Sequence, residues 1–326
     1  MKKQKVLIVG GQFGVYGHLS AWRLCKNVDI LGVVSSTSEK TTDINKKQKL
    51  PLVFESYEKA VQQADIISFA VPPHKQLQLA KVAIKHKKKI IFDKPLASNL
   101  KQAKTLADLC KKNKIKTCVN FEFIELETFK LAKDIIDKKL FGEVLHFFID
   151  WRVETAAYRL KTNNWKSSPQ NGGGLWLHYF PHTIHMLNWF FGDLKSAQFE
   201  VTGLKNFPAT LVSGRVTTKN NISGLVTGTC VAKNGLGHRL EIYTEKGTIV
   251  LSNPTSDVMK GFELSVHSSS KTLSLSENSY FKGPAKKLDS RALPMSKLFA
   301  KFAQGKKVPD VQDAFKVQKV LAAAKF

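Results

Sequence analysis

The feature that most constrains the fold of this chain is an alternation of strand-like and helix-like segments in its N-terminal part. Short apolar runs rich in branched residues, typical of buried strands, are separated by segments in which apolar residues recur at helical spacing. The strand-like runs are KVLIVGG (5–11), VDILGVVSS (28–36), ADIISFAV (64–71), KKIIFDKP (88–95) and IKTCVNF (115–121). Because consecutive parallel strands are joined by helical crossovers, this order predicts a doubly wound parallel α/β sheet.

The length of the chain predicts a second domain, because 326 residues exceed one ordinary hydrophobic core. From Leu145 onward, apolar and polar residues alternate in HFFIDWRVET, GRVTTKNNISGLVTGTCVA, HRLEIYTEKGTIVLS and ELSVHSSSKTLSLS. Such alternation is typical of antiparallel strands with one solvated face. We therefore expect an α+β domain with a large, open, mainly antiparallel sheet. Apolar residues beyond those that one helix layer covers predict a homodimer or homotetramer formed through this sheet.

A glycine-rich loop, GGQFGVYGH, separates the first strand from the helical segment HLSAWRL. Gly10, Gly11 and Gly14 allow backbone N–H groups to approach a phosphate, and the N-terminus of the following helix favours an anion. The loop departs from a strict G-x-G-x-x-G pattern, since Gln12 and Val15 occupy two of the glycine places, so a plain tight turn is the alternative. The strand before the loop and the helix after it favour dinucleotide binding.

The end of the second strand distinguishes the two nicotinamide dinucleotides. An acidic residue there binds the ribose 2′-hydroxyl of NAD. This chain instead has Ser35 and Ser36, whose small hydroxyls leave room for a 2′-phosphate that Lys40 could reach, whereas Glu39 lies further along. The sequence therefore predicts NADP as cofactor, with NAD as the alternative cofactor and an ordinary polar loop as the alternative interpretation.

The net charge of +25 comes mostly from lysine, in runs such as KHKKK (85–89) and KKNKIK (111–116). These lysines are spread over many elements and lack the arginine-rich faces or interleaved aromatic residues of nucleic-acid binders. We interpret them as a solvated surface, with attraction of anionic small molecules as the alternative, and expect no nucleic-acid partner.

Cysteine usage and hydropathy indicate a cytoplasmic protein without a membrane partner. The four cysteines include no CxxC pair, which argues against a disulfide framework and a cysteine zinc site. No apolar segment approaches the roughly 20 residues needed to cross a bilayer. The N-terminal MKKQKVLIVGG has the lysines and apolar run of a signal peptide, but the run is short and ends in glycines, so we interpret it as the first strand.

Several motifs, in order along nearly the whole chain, resemble the glucose-fructose oxidoreductase / inositol dehydrogenase family of NAD(P)-dependent sugar oxidoreductases. VGGQFGVYGH is similar to the family's phosphate loop, AVPPHKQ to its A-T-P-P-x-x-H segment, and DKPL to its E-K-P-L signature, with Asp93 in place of glutamate. GEVLHFFIDWR resembles the start of the family's second domain, GGGLWLHYFPHTIHMLNWFFG its G-G-G-x-L-x-D-x-G-x-H segment, and LEIYTEKGTIVL its late Y-G-T-x-G strand pair. The resemblance implies a Rossmann NAD(P)-binding domain at residues 1–119 and a substrate-binding and oligomerisation domain at residues 120–326.

The resemblance also implies that Lys94 is the active-site lysine near the nicotinamide. This residue follows a buried strand at the carboxyl end of the sheet, where such sheets bind ligands, and a cation there can stabilise negative charge on a substrate oxygen. Another surface lysine is the alternative. The predicted cofactor-binding residues are Gly10, Gly11, Gln12, Phe13, Gly14, Ser35, Ser36, Val71, Pro72, His74, Asp93 and Lys94.

Three histidines, His178, His182 and His185, have the spacing of one helix face within an apolar segment. His182 falls on the family's motif histidine, which implies a catalytic acid/base, whereas His178 and His185 stand where the family has aspartates. We expect His178 and His182 to face the nicotinamide pocket opposite Lys94, and His185 to pack structurally. Zinc chelation and a buried core cluster are the alternatives; Pro181 argues against zinc because it interrupts the helix, so no metal is expected.

The polar segment TAAYRLKTNNWKSSPQ (155–170) leads into the glycine triplet. It predicts a lid or a wall of the substrate pocket, with an ordinary surface loop as the alternative. The candidate substrate-binding residues are Tyr158, Arg159, Trp165, His178 and His182.

Together these features predict an oxidoreductase that transfers a hydride between NAD(P) and a CH–OH group of a sugar, polyol or sugar nucleotide. Two other functions occur in the family: glycoside hydrolysis with a tightly held NAD, and regulation by dinucleotide-binding proteins without catalysis. The histidines at 178 and 185 leave the regulatory function open, whereas the presence of both Lys94 and His182 favours chemistry.

Overall fold

The computed structural model describes residues 3–162, 165–204, 207–255, 257, 259–269, 272–276 and 288–325. The chain divides into two compact units, Met1–Glu122 with Pro284–Gln318 and Phe123–Gly283 with Lys319–Phe326. The first unit thus includes a C-terminal segment that the sequence-based division into 1–119 and 120–326 places in the second domain. Within the described ranges, no helix is long and apolar enough to cross a membrane.

The first unit is built on a five-stranded parallel sheet. Its strands are β1 (Gln4–Val9), β2 (Val28–Val34), β3 (Ile66–Phe69), β4 (Lys89–Phe92) and β5 (Thr117–Val119). They pair in the order β2-β1-β3-β4-β5. All of β3 and most of β1 and β4 are buried, as is usual for strands of a parallel sheet. The predicted doubly wound sheet is confirmed.

Helices connect these strands. They are a helical segment at Gly14–Leu19 that continues as α1 (Ser20–Arg23), then α2 (Ser38–Gln48), α3 (Tyr57–Gln63), α4 (Pro73–Lys85) and α5 (Leu100–Lys112). Side-chain oxygens cap three of them by accepting a backbone N–H in the first turn: Thr37 for α2, Ser56 for α3 and Asn99 for α5.

Helix α2 was not predicted, because residues 38–48 are almost entirely polar and show no apolar periodicity. A buried amide anchors the helix in place of an apolar face. Asn45 accepts a hydrogen bond from the backbone N–H of Val33 in β2 at 2.8 Å and donates to the carbonyl of the same residue at 2.7 Å. Tertiary hydrogen bonding therefore fixes α2 where its sequence pattern gives little indication of a helix.

The second unit is built on an eight-stranded sheet. Its strands are β6 (Val144–Arg152), β7 (Leu194–Leu204), β8 (Phe207–Thr218), β9 (Ser223–Thr229), β10 (Gly237–Thr244), β11 (Gly247–Asn253), β12 (Glu263–Ser268) and β13 (Thr272–Ser276). They pair in the order β13-β12-β11-β10-β6-β9-β8-β7, and every pair is antiparallel except β6 with β9. The predicted large, mainly antiparallel sheet is confirmed.

Among the described residues, the helices of the second unit include α6 (Glu127–Asp137), α7 (Ala156–Arg159), α8 (Gly174–His178) and α9 (Phe180–Phe191). Along β6, Phe147, Ile149 and Trp151 are buried, whereas Phe148 between them is 40% exposed. The period of two places one face of the strand in the core and leaves the other face to solvent, as the alternating sequence pattern predicts.

The C-terminal part contains α10 (Ala292–Ala303) and α11 (Val311–Ala322). Met295, Leu298 and Phe299 of α10 are fully buried in one apolar cluster with Trp22 of α1. The ring centroids of Trp22 and Phe299 are 5.0 Å apart. Helix α10 therefore completes the core of the first unit, although it lies far from the rest of that unit in sequence.

Candidate active site

The predicted cofactor-binding residues converge at one edge of the parallel sheet. All five strands end at this edge. The loops after the first four carry predicted residues: Gly10–Gly14 after β1, Ser35 and Ser36 after β2, Val71, Pro72 and His74 after β3, and Asp93 and Lys94 after β4. The segment Asn120–Glu122 follows β5. The strand order reverses between β1 and β3. The carboxyl edge at such a reversal is where open α/β sheets bind ligands.

The glycine loop approaches the neighbouring strand ends closely. The backbone N–H of Gly10 donates to the carbonyl of Val34 at 2.8 Å, which fixes the loop against the end of β2. Gly10 has φ of +136°, and a Cβ at this position would lie 2.2 Å from the carbonyl oxygen of Ala70. Any larger residue would displace the loop from β3, so the turn requires glycine here.

Ser35 packs directly on this loop. A Cβ on Gly11 would lie 2.3 Å from the Ser35 hydroxyl oxygen, and the backbone N–H of Ser35 donates to Thr41 Oγ1 at 2.9 Å. Ser36 is exposed, and Lys40 lies exposed in the first turn of α2. No carboxylate occupies position 35 or 36, at the end of β2.

The segment that carries Lys94 is held by a buried glutamine. Gln76 in α4, which is fully buried, donates to the carbonyls of Asp93 and Pro95 at 2.9 Å and of Leu96 at 3.1 Å, and accepts from the backbone N–H of Asp93. The Lys94–Pro95 peptide bond is cis. Gln76 therefore fixes the backbone on both sides of the lysine. Gln76 is the last residue of the AVPPHKQ motif, but the sequence analysis did not predict a role for it.

A buried carboxyl group, Glu122, lies among charges at the same edge. It is 2% exposed, and its Oε2 atom has no hydrogen-bond partner among the described residues. Burial raises the pKa of Glu122 to about 7, although the nearby charges of Lys94 and Arg291 lower it; Asp93 raises it further. The sequence analysis did not identify Glu122. It could have done so, because Glu122 follows β5 as Lys94 follows β4, and residues after parallel strands lie at the ligand-binding edge.

Arg291 covers the aromatic side chains of the glycine loop and its helix. Its guanidinium carbon lies 4.4 Å from the centroid of the Phe13 ring and 5.8 Å from that of Tyr16. Its Nε and Nη2 donate to the two carboxylate oxygens of Asp289 at 2.8 and 2.7 Å. Burial opposes the charge, but the hydrogen bond and charge of Asp289, with that of Glu122, raise the pKa of Arg291 overall. Nothing in the sequence linked Arg291 to a loop so distant along the chain.

His18, in the helical segment after the glycine loop, is a neutral buried imidazole. It is fully buried, and its Nδ1 lies 2.9 Å from Ser68 Oγ. Trp22 Nε1 donates to the same hydroxyl at 3.0 Å. Burial lowers the pKa of His18 to about 4, which the charge of Asp93 opposes and that of Arg291 reinforces. The edge of the sheet thus carries a connected electrostatic group, which we call the edge cluster: His18, Asp93, Lys94, Glu122, Asp289 and Arg291.

In the second unit, the three histidines are divided between two helices. Helix α8 ends at His178, and α9 begins at Phe180 with Pro181 in its first turn. His182 and His185 lie in α9, and each is 7% exposed. That His178 and His182 face the same pocket stays a prediction. Burial lowers the pKa of His185 to about 3.

Aromatic contacts join His178 and His182 through other side chains. The contacting pairs, with their ring-centroid separations, are Trp165–His178 (5.2 Å), His178–Tyr179 (4.9 Å), Tyr179–Trp151 (5.4 Å), Trp151–His238 (5.0 Å), His238–Phe123 (6.4 Å) and Phe123–His182 (4.8 Å). His238 is 3% exposed, and burial lowers its pKa to about 3. Sequence reasoning missed His238, although its strand was predicted.

The predicted substrate-binding residues are only partly brought together. Trp165 contacts His178, whereas the Tyr158 ring packs on Phe207 at 5.5 Å and Arg159 is exposed. The two asparagines of this segment, at 163 and 164, lie outside the described residues. Gly173 allows the segment to pack tightly, because a Cβ there would lie 2.2 Å from the carbonyl oxygen of Trp165.

Comparison with known proteins identifies both units. Residues 4–121 match the model of an oxidoreductase family with an NAD-binding Rossmann fold, and residues 129–250 match the GFO/IDH/MocA C-terminal domain. An uncharacterized oxidoreductase of Synechocystis sp. is 24% identical over 279 residues, covering 80% of this chain and 75% of that protein. Oxidoreductase P35 of Formosa agariphila is 28% identical over 207 residues, covering 61% of this chain and 64% of that protein.

Solved structures share the fold along the whole chain. An NAD-binding oxidoreductase from Klebsiella pneumoniae matches with a TM-score of 0.86 at 18% identity, covering 99% of this chain and 96% of that one. Levoglucosan dehydrogenase in complex with NADH and levoglucosan matches with a TM-score of 0.85 at 18% identity, covering 98% and 95%. The fold and the family matches define an NAD(P)-binding oxidoreductase. The chain belongs to the GFO/IDH/MocA family, and the resemblance noted in the sequence is confirmed.

Proposed function

We propose that this protein transfers a hydride between NAD(P) and a CH–OH group of a carbohydrate-like molecule, namely a sugar, polyol or sugar nucleotide. The observation that carries the proposal is the placement of Lys94 at the carboxyl edge of the parallel sheet, the edge that also carries the glycine loop. Family membership supports the redox chemistry, and a structural neighbour that binds NADH and levoglucosan supports a carbohydrate substrate.

The glycine loop fits a dinucleotide. The close approach at Gly10 leaves no room for a side chain, and the helical segment from Gly14 begins directly after the loop. Bound NAD(P) supplies the hydride-accepting or hydride-donating ring. The residues from Gly10 to Gly14 would hold its phosphates, with Ser35 and Ser36 at the ribose and Val71, Pro72, His74, Asp93 and Lys94 along the rest of the molecule.

Two side chains carry the proposed chemistry. Lys94 orients the substrate oxygen and stabilises the negative charge that develops on it during hydride transfer. His182 accepts the hydroxyl proton in the direction of oxidation and returns it in the direction of reduction. His178, with Tyr158, Arg159 and Trp165, binds the substrate. We expect no metal to take part in these steps.

The proposed cofactor is NADP, because neither residue 35 nor residue 36, directly after β2, is a carboxylate. We expect NADPH to bind at least as tightly as NADH. The substitution Ser35→Asp should shift the preference toward NADH by on the order of tenfold, because a carboxylate beside Gly11 repels the 2′-phosphate. Fluorescence titration of both reduced dinucleotides measures the shift. Ser56→Asp, which adds the same charge at the cap of α3, is the control, and a clear preference of the unmodified protein for NADH would contradict the assignment.

Activity is tested by incubating the protein with oxidised cofactor and a panel of sugars, polyols and sugar nucleotides. Absorbance of the reduced nicotinamide should rise with at least one of them. Turnover of a glycoside without added cofactor and without its net reduction would instead identify a hydrolase.

We also propose that the protein is a cytoplasmic homodimer or homotetramer. The outer face of the eight-stranded sheet exposes Phe148 and Leu225, which pair across β6 and β9, and Leu211 on β8. Exposed apolar side chains in register can pair with the same face of a second copy. Light scattering at micromolar concentration should show an oligomer, and a monomer would contradict this proposal. All four cysteines are free thiols, in keeping with a reducing compartment.

A further inference from the structure

The edge cluster contains more titratable groups than hydride transfer requires. Lys94 and Arg291 are its two cations, and Asp93, Glu122 and Asp289 are its three carboxylates. His18 is neutral in its buried position. When Glu122 is ionised, the cluster has one net negative charge, and when Glu122 is protonated the charges balance. One proton on one buried side chain therefore decides whether the cluster carries a net charge.

The surroundings of Glu122 favour its protonated form. It is 2% exposed, and no described side chain or backbone group bonds its Oε2 atom. A backbone hydrogen bond favours the ionised form, but burial outweighs it. An ionised carboxylate with one oxygen left without a hydrogen bond is costly to bury, whereas a protonated carboxyl group is far less so. The adjacent buried carboxylate Glu125 differs, because it pairs with Lys130 at 3.1 Å.

We propose that Glu122 is a proton-linked residue of the cofactor site, which releases its proton when oxidised cofactor binds and retains it when reduced cofactor binds. The proposal rests on the proposed function, which places the nicotinamide ring near Lys94. The oxidised ring carries one positive charge more than the reduced ring, while the phosphates of the two forms are alike. A net negative edge cluster therefore favours the oxidised form, and proton release to solvent provides that charge.

The sign of the effect follows from linkage. Raising the pH through the pKa of Glu122, about 7, ionises the carboxyl group and strengthens binding of oxidised relative to reduced cofactor. Two unit charges within about 10 Å at an effective dielectric constant of about 20 interact strongly enough to change this affinity ratio about tenfold. The 2′-phosphate of the cofactor also titrates, with a pKa of about 6. Because NADP⁺ and NADPH carry the same phosphate, its titration cancels in the ratio of their dissociation constants.

The test is the ratio of the dissociation constants of NADPH and NADP⁺ at about pH 5.5 and about pH 8.5. In the unmodified protein this ratio should rise about tenfold with pH. Glu122→Gln, which keeps the shape but cannot ionise, should make the ratio independent of pH. Glu125→Gln, the matched change at the buried neighbour, should leave the pH dependence intact.

An equal rise in the Glu122→Gln variant, or a flat ratio in the unmodified protein, would overturn the inference and leave the proposed function standing. Failure of both dinucleotides to bind would overturn the proposed function and the inference with it. A second measurement needs no variant. Calorimetry in two buffers of different ionisation enthalpy, near about pH 7, should show that NADP⁺ releases more protons than NADPH on binding. Equal proton release by the two would also overturn the inference.

Discussion

Replacing His182 by alanine should lower turnover by about 10²-fold or more and leave the affinity for NAD(P) unchanged. The expected loss is that of a general acid/base, since without the imidazole the substrate proton must pass to water. His182 suits this role because it is buried beside the Phe123 ring, in the contact series that also contains His178 and Trp165. Steady-state kinetics with the substrate found in the panel, together with cofactor titration, measure both quantities.

The control for this substitution is His185→Ala. His185 lies one turn further along α9 and is equally buried at 7% exposure, so its removal creates a similar cavity. The control should lose stability without a comparable loss in turnover per folded molecule. Equal losses from the two variants, or unchanged turnover after His182→Ala, would mean that His182 is structural.

Lys94→Met should lower turnover by about 10²–10³-fold, because the methionine side chain fills similar space but supplies no charge to the developing oxyanion. The same substitution should raise the pKa of Glu122 further, since the charge of Lys94 is the largest of the effects that lower it. The kinetic effect is measured with saturating cofactor. The pKa effect is measured through the pH dependence of the NADPH to NADP⁺ affinity ratio.

Lys89→Met provides the matched control, because Lys89 lies at the opposite end of the same strand, where its Nζ donates to Gln4 Oε1. This variant should retain nearly full turnover. A Lys94→Met variant that binds both cofactor forms and turns over normally would remove the lysine from the proposed chemistry.

The parallel sheet could be predicted because its strands are short apolar runs separated by helices, and a parallel sheet covered by helices on both faces buries such runs. The position of Lys94 followed from the same reasoning, since the residue after a parallel strand lies at the carboxyl edge. That reasoning also applied to Glu122 after β5, but its sequence context, VNFEF, resembles an ordinary apolar strand end.

Other features depend on contacts that the sequence does not encode locally. Arg291 reaches Phe13 only because α10 folds back into the core around Trp22. Helix α2 is fixed by the buried amide of Asn45 rather than by an apolar face. The three histidines have helical spacing in the sequence, but the break at Tyr179 separates His178 from the other two. In the first two cases tertiary structure overrode the local pattern, whereas Pro181 marks the helix boundary in the sequence itself.

The most direct test of the proposed hydride transfer follows an isotope. The protein is incubated with NADP⁺ and panel substrates that carry deuterium on the carbinol carbon, and the nicotinamide is then analysed by mass spectrometry. We expect deuterium in the reduced cofactor with at least one carbohydrate, and a much slower appearance of that deuterium in the Lys94→Met and His182→Ala variants. Binding of NADP⁺ without deuterium transfer from any panel member, or hydrolysis of a glycoside with no net reduction of the cofactor, would contradict the proposed activity.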